Sequence, residues 1–191
     1  MNPSLRRLAV AAAALLTLAA CEGRGRVRPV EEFFSEGGSA SATRSPNARP
    51  SSSTRSDGLD ERARDAYERA KGDYARGDLA AMQGSLELAV RYQPDFTEAW
   101  YNLGACRSNR ALEAIRVENE KGALALFRSA VDAKRKAREL MEQGKWYVYL
   151  TDEEQQQVRQ DVEEALKDAD DVLGDEASLL AAMRLMAGSG E

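Results

Sequence analysis

The sequence predicts an all-α fold, and three observations carry that expectation. Beyond residue 59, apolar residues recur at spacings of three and four, as in Met82, Leu86, Ala89 and Val90, with polar or charged residues between them. Helix starts and stops follow in series: a capping Asp60, a turn at Gly77-Asp78, Pro94, a turn over Asn119 to Gly122, and the box Thr151-Asp152-Glu153-Glu154. The short run Trp146-Tyr147-Val148-Tyr149-Leu150 is apolar without helical spacing, and in a helical chain it reads as an aromatic plug in a connecting loop rather than a strand.

The N-terminus stands apart from the fold. Arg6 and Arg7 precede an uncharged apolar run, Leu8 to Ala20, of about 13 residues, too short to read as a spanning helix. The run ends in Leu18-Ala19-Ala20-Cys21, which resembles the lipobox of bacterial lipoproteins. That resemblance implies a signal peptide over 1–20, lipid on Cys21, export by the general secretory route and anchoring by more than one acyl chain, as stable attachment requires. Glu22 rather than Asp after the cysteine implies the outer membrane, periplasmic face, with the inner membrane as the alternative. The covalent lipid on Cys21 is the one non-protein group expected, with no metal and no other cofactor.

From 21 to 58 the chain is rich in Ser, Gly, Pro, Ala and Arg, and Pro29, Pro46 and Pro50 break any helix. It reads as a disordered tether whose 37 or so residues reach on the order of 30 to 35 Å. Its apolar island, Glu31-Glu32-Phe33-Phe34, is either a docking motif or a contact with the membrane interface.

The first helix of the folded part runs from Asp60 to about Arg76, with Ala63, Ala66, Tyr67, Ala70 and Tyr74 on one face. Gly77-Asp78 turns the chain into a second helix, Leu79 to Gln93, closed by Pro94. Next comes Ala99-Trp100-Tyr101-Asn102-Leu103-Gly104, and later the triple Ala123, Phe127 and Ala130 in a helix that continues to about Gln143. A further helix carries the stripe Val158, Val162, Leu166, Ala169 and Leu173, and after Gly174 a last one, Asp175 to about Ala187, carries Leu179, Leu180, Met183, Leu185 and Met186.

The order of Gly77, Leu86, Ala89, Pro94, Trp100, Leu103 and Gly104 resembles one tetratricopeptide repeat running into a second, a unit of roughly 34 residues built from two antiparallel helices. The second repeat departs from the pattern: Phe127 and Ala130 arrive about seven residues late, and Arg135 stands where the family has proline. Seven residues add about two helical turns, lengthening both helices while keeping their contacting faces in phase. Two units are fewer than a stacked array needs, so the helix after Thr151 is expected to cap the open end. The domains are therefore 1–20 signal peptide, 21–58 lipidated cysteine and tether, 59–173 repeat-like helical domain, and 174–191 C-terminal helix and tail. That last helix either packs back on the domain or lies in its groove.

The resemblance also implies a site. In that family the first helix of each hairpin lines the ligand groove, and the matching positions are Arg64, Tyr67, Lys71 and Tyr74, then Glu98, Tyr101, Asn102, Ser108 and Asn109, with Ala75 and Ala105 beside them. The alternative is that Tyr67 and Tyr101 pack between helices. Tyr67 and Lys71 occupy the first two positions of the family's carboxylate clamp, so that specificity is not supported.

The remaining features narrow the function class. The chain has no His, which removes the usual neutral-pH base and the commonest zinc ligand. Residues 1–58 hold eight basic and five acidic side chains and residues 59–191 nineteen and twenty-seven, so the folded part is acidic and unsuited to nucleic acid. Cys106 reads as a buried, inert thiol. Lys134-Arg135-Lys136 with Arg138 is a basic cluster that either meets an acidic partner or headgroups or simply faces solvent, and Asp168, Asp170 and Asp171 lack the loop a calcium site needs. The expected function is a membrane-tethered scaffold or adaptor that binds another envelope protein or peptide, with oligomerisation open. A pilotin-like assembly factor for a secretin is the alternative, and a His-independent hydrolase the least favoured reading.

Overall fold

The computed structural model describes residues 58–148, 150–167 and 169–188. The segments expected to be a signal peptide and a tether, with Cys21 between them, lie outside the described residues up to Asp57. Seven helices are present among those described, and no strand: α1 Glu61–Ala75, α2 Leu79–Tyr92, α3 Thr97–Arg116, α4 Glu120–Glu142, α5 Asp152–Lys167, α6 Ala169–Gly174 and α7 Glu176–Gly188. The fold is all-α.

Local chemistry sets the first hairpin. Asp60 caps α1 by accepting the Arg62 N–H at 2.8 Å, and Asp78 caps α2 by accepting the Ala81 N–H at 2.9 Å. Between them Gly77 takes a left-handed φ of 73°, with its N–H on the Tyr74 carbonyl and the Asp78 N–H on the Asp73 carbonyl. This doubly bonded helix end reverses the chain within two residues. Small residues of α1 (Ala63, Ala66, Ala70) then meet Met82, Leu86 and Ala89 of α2, so the larger side chains fill the space the alanines leave.

The second hairpin is longer, 20 and 23 residues against 15 and 14. Its crossing point is Gly104: a Cβ there would lie 2.8 Å from Lys134 Cγ and 3.2 Å from the Ala130 carbonyl. Its turn lies earlier than the sequence predicts. The reversal is at Val117–Asn119, where Glu118 takes the left-handed conformation (φ 58°), and Gly122 belongs to the first turn of α4, its N–H bonded to Asn119 Oδ1 at 3.0 Å. A side chain on Gly122 would displace that cap, with Asn119 Nδ2 only 2.3 Å from a Cβ.

Past Gly144 no strand is present among the described residues. Residues 145–148 run as an irregular strap against the start of α3. The Thr151–Glu154 box then opens α5: each residue's side chain bonds the other's backbone N–H, at 2.7 and 3.2 Å. Val158 and Val162 of α5 pack on Ala137 and Met141 of α4. The expected stripe runs through α5 and α6, which lie on either side of residue 168, itself outside the described residues; Ala165 and Val172 join Val158, Val162 and Ala169 as its fully packed residues, with Leu166 and Leu173 beside them partly buried.

The C-terminal helix is part of the core rather than a separate appendage. Leu179, Ala182 and Met183 of α7 are buried with Ala111, Leu112 and Ile115 of α3 and Phe127 of α4. Ion pairs Arg128–Glu176 and Arg184–Glu120, and a bond from Arg116 to the Ala187 carbonyl, hold its two ends. No described helix is long and apolar enough to cross a membrane.

Candidate recognition surface

The nine residues assigned to a groove divide between interior and surface. On α1, Arg64 is exposed, and Lys71 and Tyr74 are half-buried, with Lys71 paired to Glu68 at 3.0 Å. On α3, Tyr101 and Asn109 are half-buried, whereas Glu98, Asn102 and Ser108 are buried. Tyr67 is buried as well. These four are unavailable to a partner in this conformation, which corrects the sequence-based assignment at those positions.

Each buried member has an internal task. The Tyr67 hydroxyl accepts from Asn102 Nδ2 at 2.7 Å and its ring lies 4.9 Å from that of Phe96, so this pair locks α1 to α3. Burial, and then the nearby Glu98 and Glu68 charges, push the Tyr67 phenol well above its usual range. Ser108 donates to the Gly104 carbonyl one turn back. Glu98 Oε1 accepts the N–H groups of Tyr147 and Val148 at 2.9 and 2.8 Å. Burial raises its carboxyl to about 7, against the opposing effect of those amide donors.

Tyr101 sits between helices rather than in an open groove. Lys134 Nζ lies 4.0 Å from its ring centroid and its hydroxyl donates to Asp161 of α5 at 3.3 Å. That contact takes Lys134 out of the basic cluster, since its side chain is buried. The rest of the cluster is paired in place: Arg135 with Asp132 at 3.2 Å, Lys136 with Glu139 at 2.9 Å and Arg138 with Glu163 at 3.9 Å.

The residues assigned to the repeat core are mostly interior. Leu86, Ala89, Leu103, Phe127 and Ala130 are fully buried and Gly104 is buried at the α3–α4 crossing. Gly77 and Pro94 are exposed, as turn residues. Trp100 is a correction: it is half-buried, bridging two parts of the core, with its Nε1 donating to the Pro94 carbonyl at 2.8 Å. Cys106 is buried with Sγ 3.3 Å from the Leu79 carbonyl, and burial pushes its thiol up to about 12, so it stays protonated and unreactive.

Two polar groups were not foreseen. One joins α2, α3 and α4: Arg107 bonds Glu87 at 3.0 Å and the Ser129 carbonyl at 3.1 Å, and Gln83 bonds Glu87 at 2.7 Å. The other joins the strap to Gln93, Asp95, Thr97 and Glu98. Thr97-Glu98 reads in sequence as an ordinary helix start, and its partners lie about 50 residues away. Among the described residues no group of three or more Cys, Asp or Glu is placed to hold a metal ion.

No protein-family model, curated protein or solved structure matches the chain.

Proposed function

We propose that the chain is a lipid-anchored lipoprotein on the periplasmic face of the bacterial outer membrane, whose helical domain is a non-catalytic scaffold for another envelope protein or peptide. The observation that carries the reading is the pairing of Leu18-Ala19-Ala20-Cys21 with two successive helix hairpins that cross through small residues, Gly104 against Ala130 in the second. The hairpins are read as tetratricopeptide-like, with the second elongated and α5 to α7 completing the core. The recognition surface is narrowed to Arg64, Lys71, Tyr74 and Asn109, which reach solvent on the first helix of each hairpin, Tyr101 being set aside because it is held between helices by Lys134 and Asp161. That set is polar with one aromatic, suited to an extended peptide or a partner's helix. Confinement to a membrane raises the effective concentration of such a weak binder.

The test is photo-crosslinking in the native envelope from Lys71 and Asn109. The expected result is one adduct shared by both positions and missing from the solvent-exposed Gln160 of α5. Adducts that do not depend on position would overturn the assignment. Radiolabelled palmitate should enter the wild-type protein and not Cys21→Ser, and equal labelling of the two would end the lipoprotein reading.

A further inference from the structure

The segment after α4 is tied to the start of α3 through backbone as well as side-chain atoms. Thr97 Oγ1 donates to the Lys145 carbonyl, and Glu98 Oε1 takes both the Tyr147 and Val148 N–H groups. The Tyr147 hydroxyl donates to Asp95 at 2.7 Å and accepts from Gln93 at 3.2 Å, while Lys145 Nζ lies 3.5 Å from Asp95. Beneath this strap lies Phe96, fully buried, its ring 5.9 Å from that of Tyr147 in an edge-on arrangement.

Glu98 is 6 % exposed, and its Oε2 is buried with no hydrogen-bond partner. A carboxylate in that position has donors on one oxygen only, while the other is buried without a partner. The charged form is therefore costly, and the neutral form much less so.

We propose that the Lys145–Val148 strap is a proton-dependent latch: it is held closed while Glu98 is protonated and is released from the start of α3 as Glu98 ionises, uncovering Phe96. Release lets water reach the carboxylate and relieves the cost of burying its charge. The direction of the Glu98 shift agrees, since burial raises its carboxyl to about 7 from an ordinary value of 4.5. The closed form binds the proton more tightly, so the open form gains as pH rises through that interval.

The neighbouring groups leave this window to Glu98. Tyr67, on α1, is pushed far above it. Tyr147, on the strap, is raised to about 12 by burial and by its bond to Asp95. Burial raises Asp95, but bonds from Tyr147, Gln93 and Lys145 outweigh that and hold its carboxyl below the ordinary value. Other charged groups at this end of the domain are Asp60 and Glu68 at the first helix, Lys145 on the strap, Lys134 on α4, and Arg159 and Asp161 on α5, Arg159 lying 5.6 Å from the Trp146 ring.

The experiment is hydrogen exchange of the Tyr147 and Val148 amides in the full chain, corrected for intrinsic rates, from pH 5 to pH 8. The opening constant should rise roughly 70-fold over that range. In Glu98→Gln, which keeps an acceptor without a titrating charge, it should change by less than about threefold. A flat wild-type profile, or a Glu98→Gln profile as steep as wild type, overturns the latch. Direct NMR titration of the Glu98 carboxyl needs no variant: a midpoint near the ordinary carboxylate value overturns the proposal, and one near neutrality supports it.

Discussion

Glu118 carries a left-handed φ of 58° at the end of α3, where its N–H meets the Ile115 carbonyl and the Asn119 N–H the Ala114 carbonyl. Gly77 and Gly144 make the same pair of bonds at the ends of α1 and α4. In sequence, glycine at such a helix end is the signal, and Glu118 removes it, so the turn reads as lying near the next glycine, Gly122. Glu118→Gly should relieve the strain of a side chain in that region and raise stability by about 0.5–1 kcal/mol, visible as a higher urea midpoint. Gly104 behaves oppositely. Gly104→Ala forces a methyl against Lys134 Cγ and the Ala130 carbonyl and should cost about 1–3 kcal/mol. Trp100 was expected in the core from its place in the repeat pattern. Its half-buried position makes Trp100→Ala milder than Leu86→Ala, for which roughly 2–5 kcal/mol is expected from a fully enclosed leucine.

At the scale of elements, what could be read in the sequence was what depends on neighbours in the chain. Asp60, Asp78 and Thr151 start α1, α2 and α5 through bonds spanning two or three residues, so their positions were legible. Thr151→Ala removes one side of the capping box and should lower stability by about 0.5–2 kcal/mol, measured by denaturant titration. The lengthened second hairpin was also legible, because the delayed Phe127 and Ala130 keep the helical phase. The buried half of the expected groove was not. Tyr67 with Asn102, and Glu98 with the strap, are pairs separated by 35 to 50 residues, and one-dimensional spacing carries no record of them. Lys134 was misjudged for a related reason: as part of a basic run it looked solvent-facing, whereas Tyr101 gives its ammonium an interior partner.

For the whole molecule, the pH dependence has a definite sign. Glu98 has a folded value, about 7, above its ordinary one, so its contribution to stability is fully present below about 4.5 and is lost as pH rises toward 7. Complete loss corresponds to an upper bound of about 3 kcal/mol. Urea midpoints should therefore fall from pH 5 to pH 7.5 in the wild type by more than in Glu98→Gln. An equal fall in both would place the titration on other groups.

Helix α3 is met by partners from almost the entire length of the domain: Tyr67 before it, α4 directly after it, the strap some 50 residues on, and α7 at the end. The first hairpin closes among near neighbours, but the pocket around Ile115 and Phe127 stays open until Leu179 and Met183 arrive. Completion of this cluster thus waits on α7, so a chain that has not yet delivered that helix leaves the pocket between α3 and α4 unfilled. A protein that crosses a membrane unfolded, as the proposed export route requires, gains from this order of events. On that route α7 would act as the timer, and this part of the core would set only once that helix had passed through.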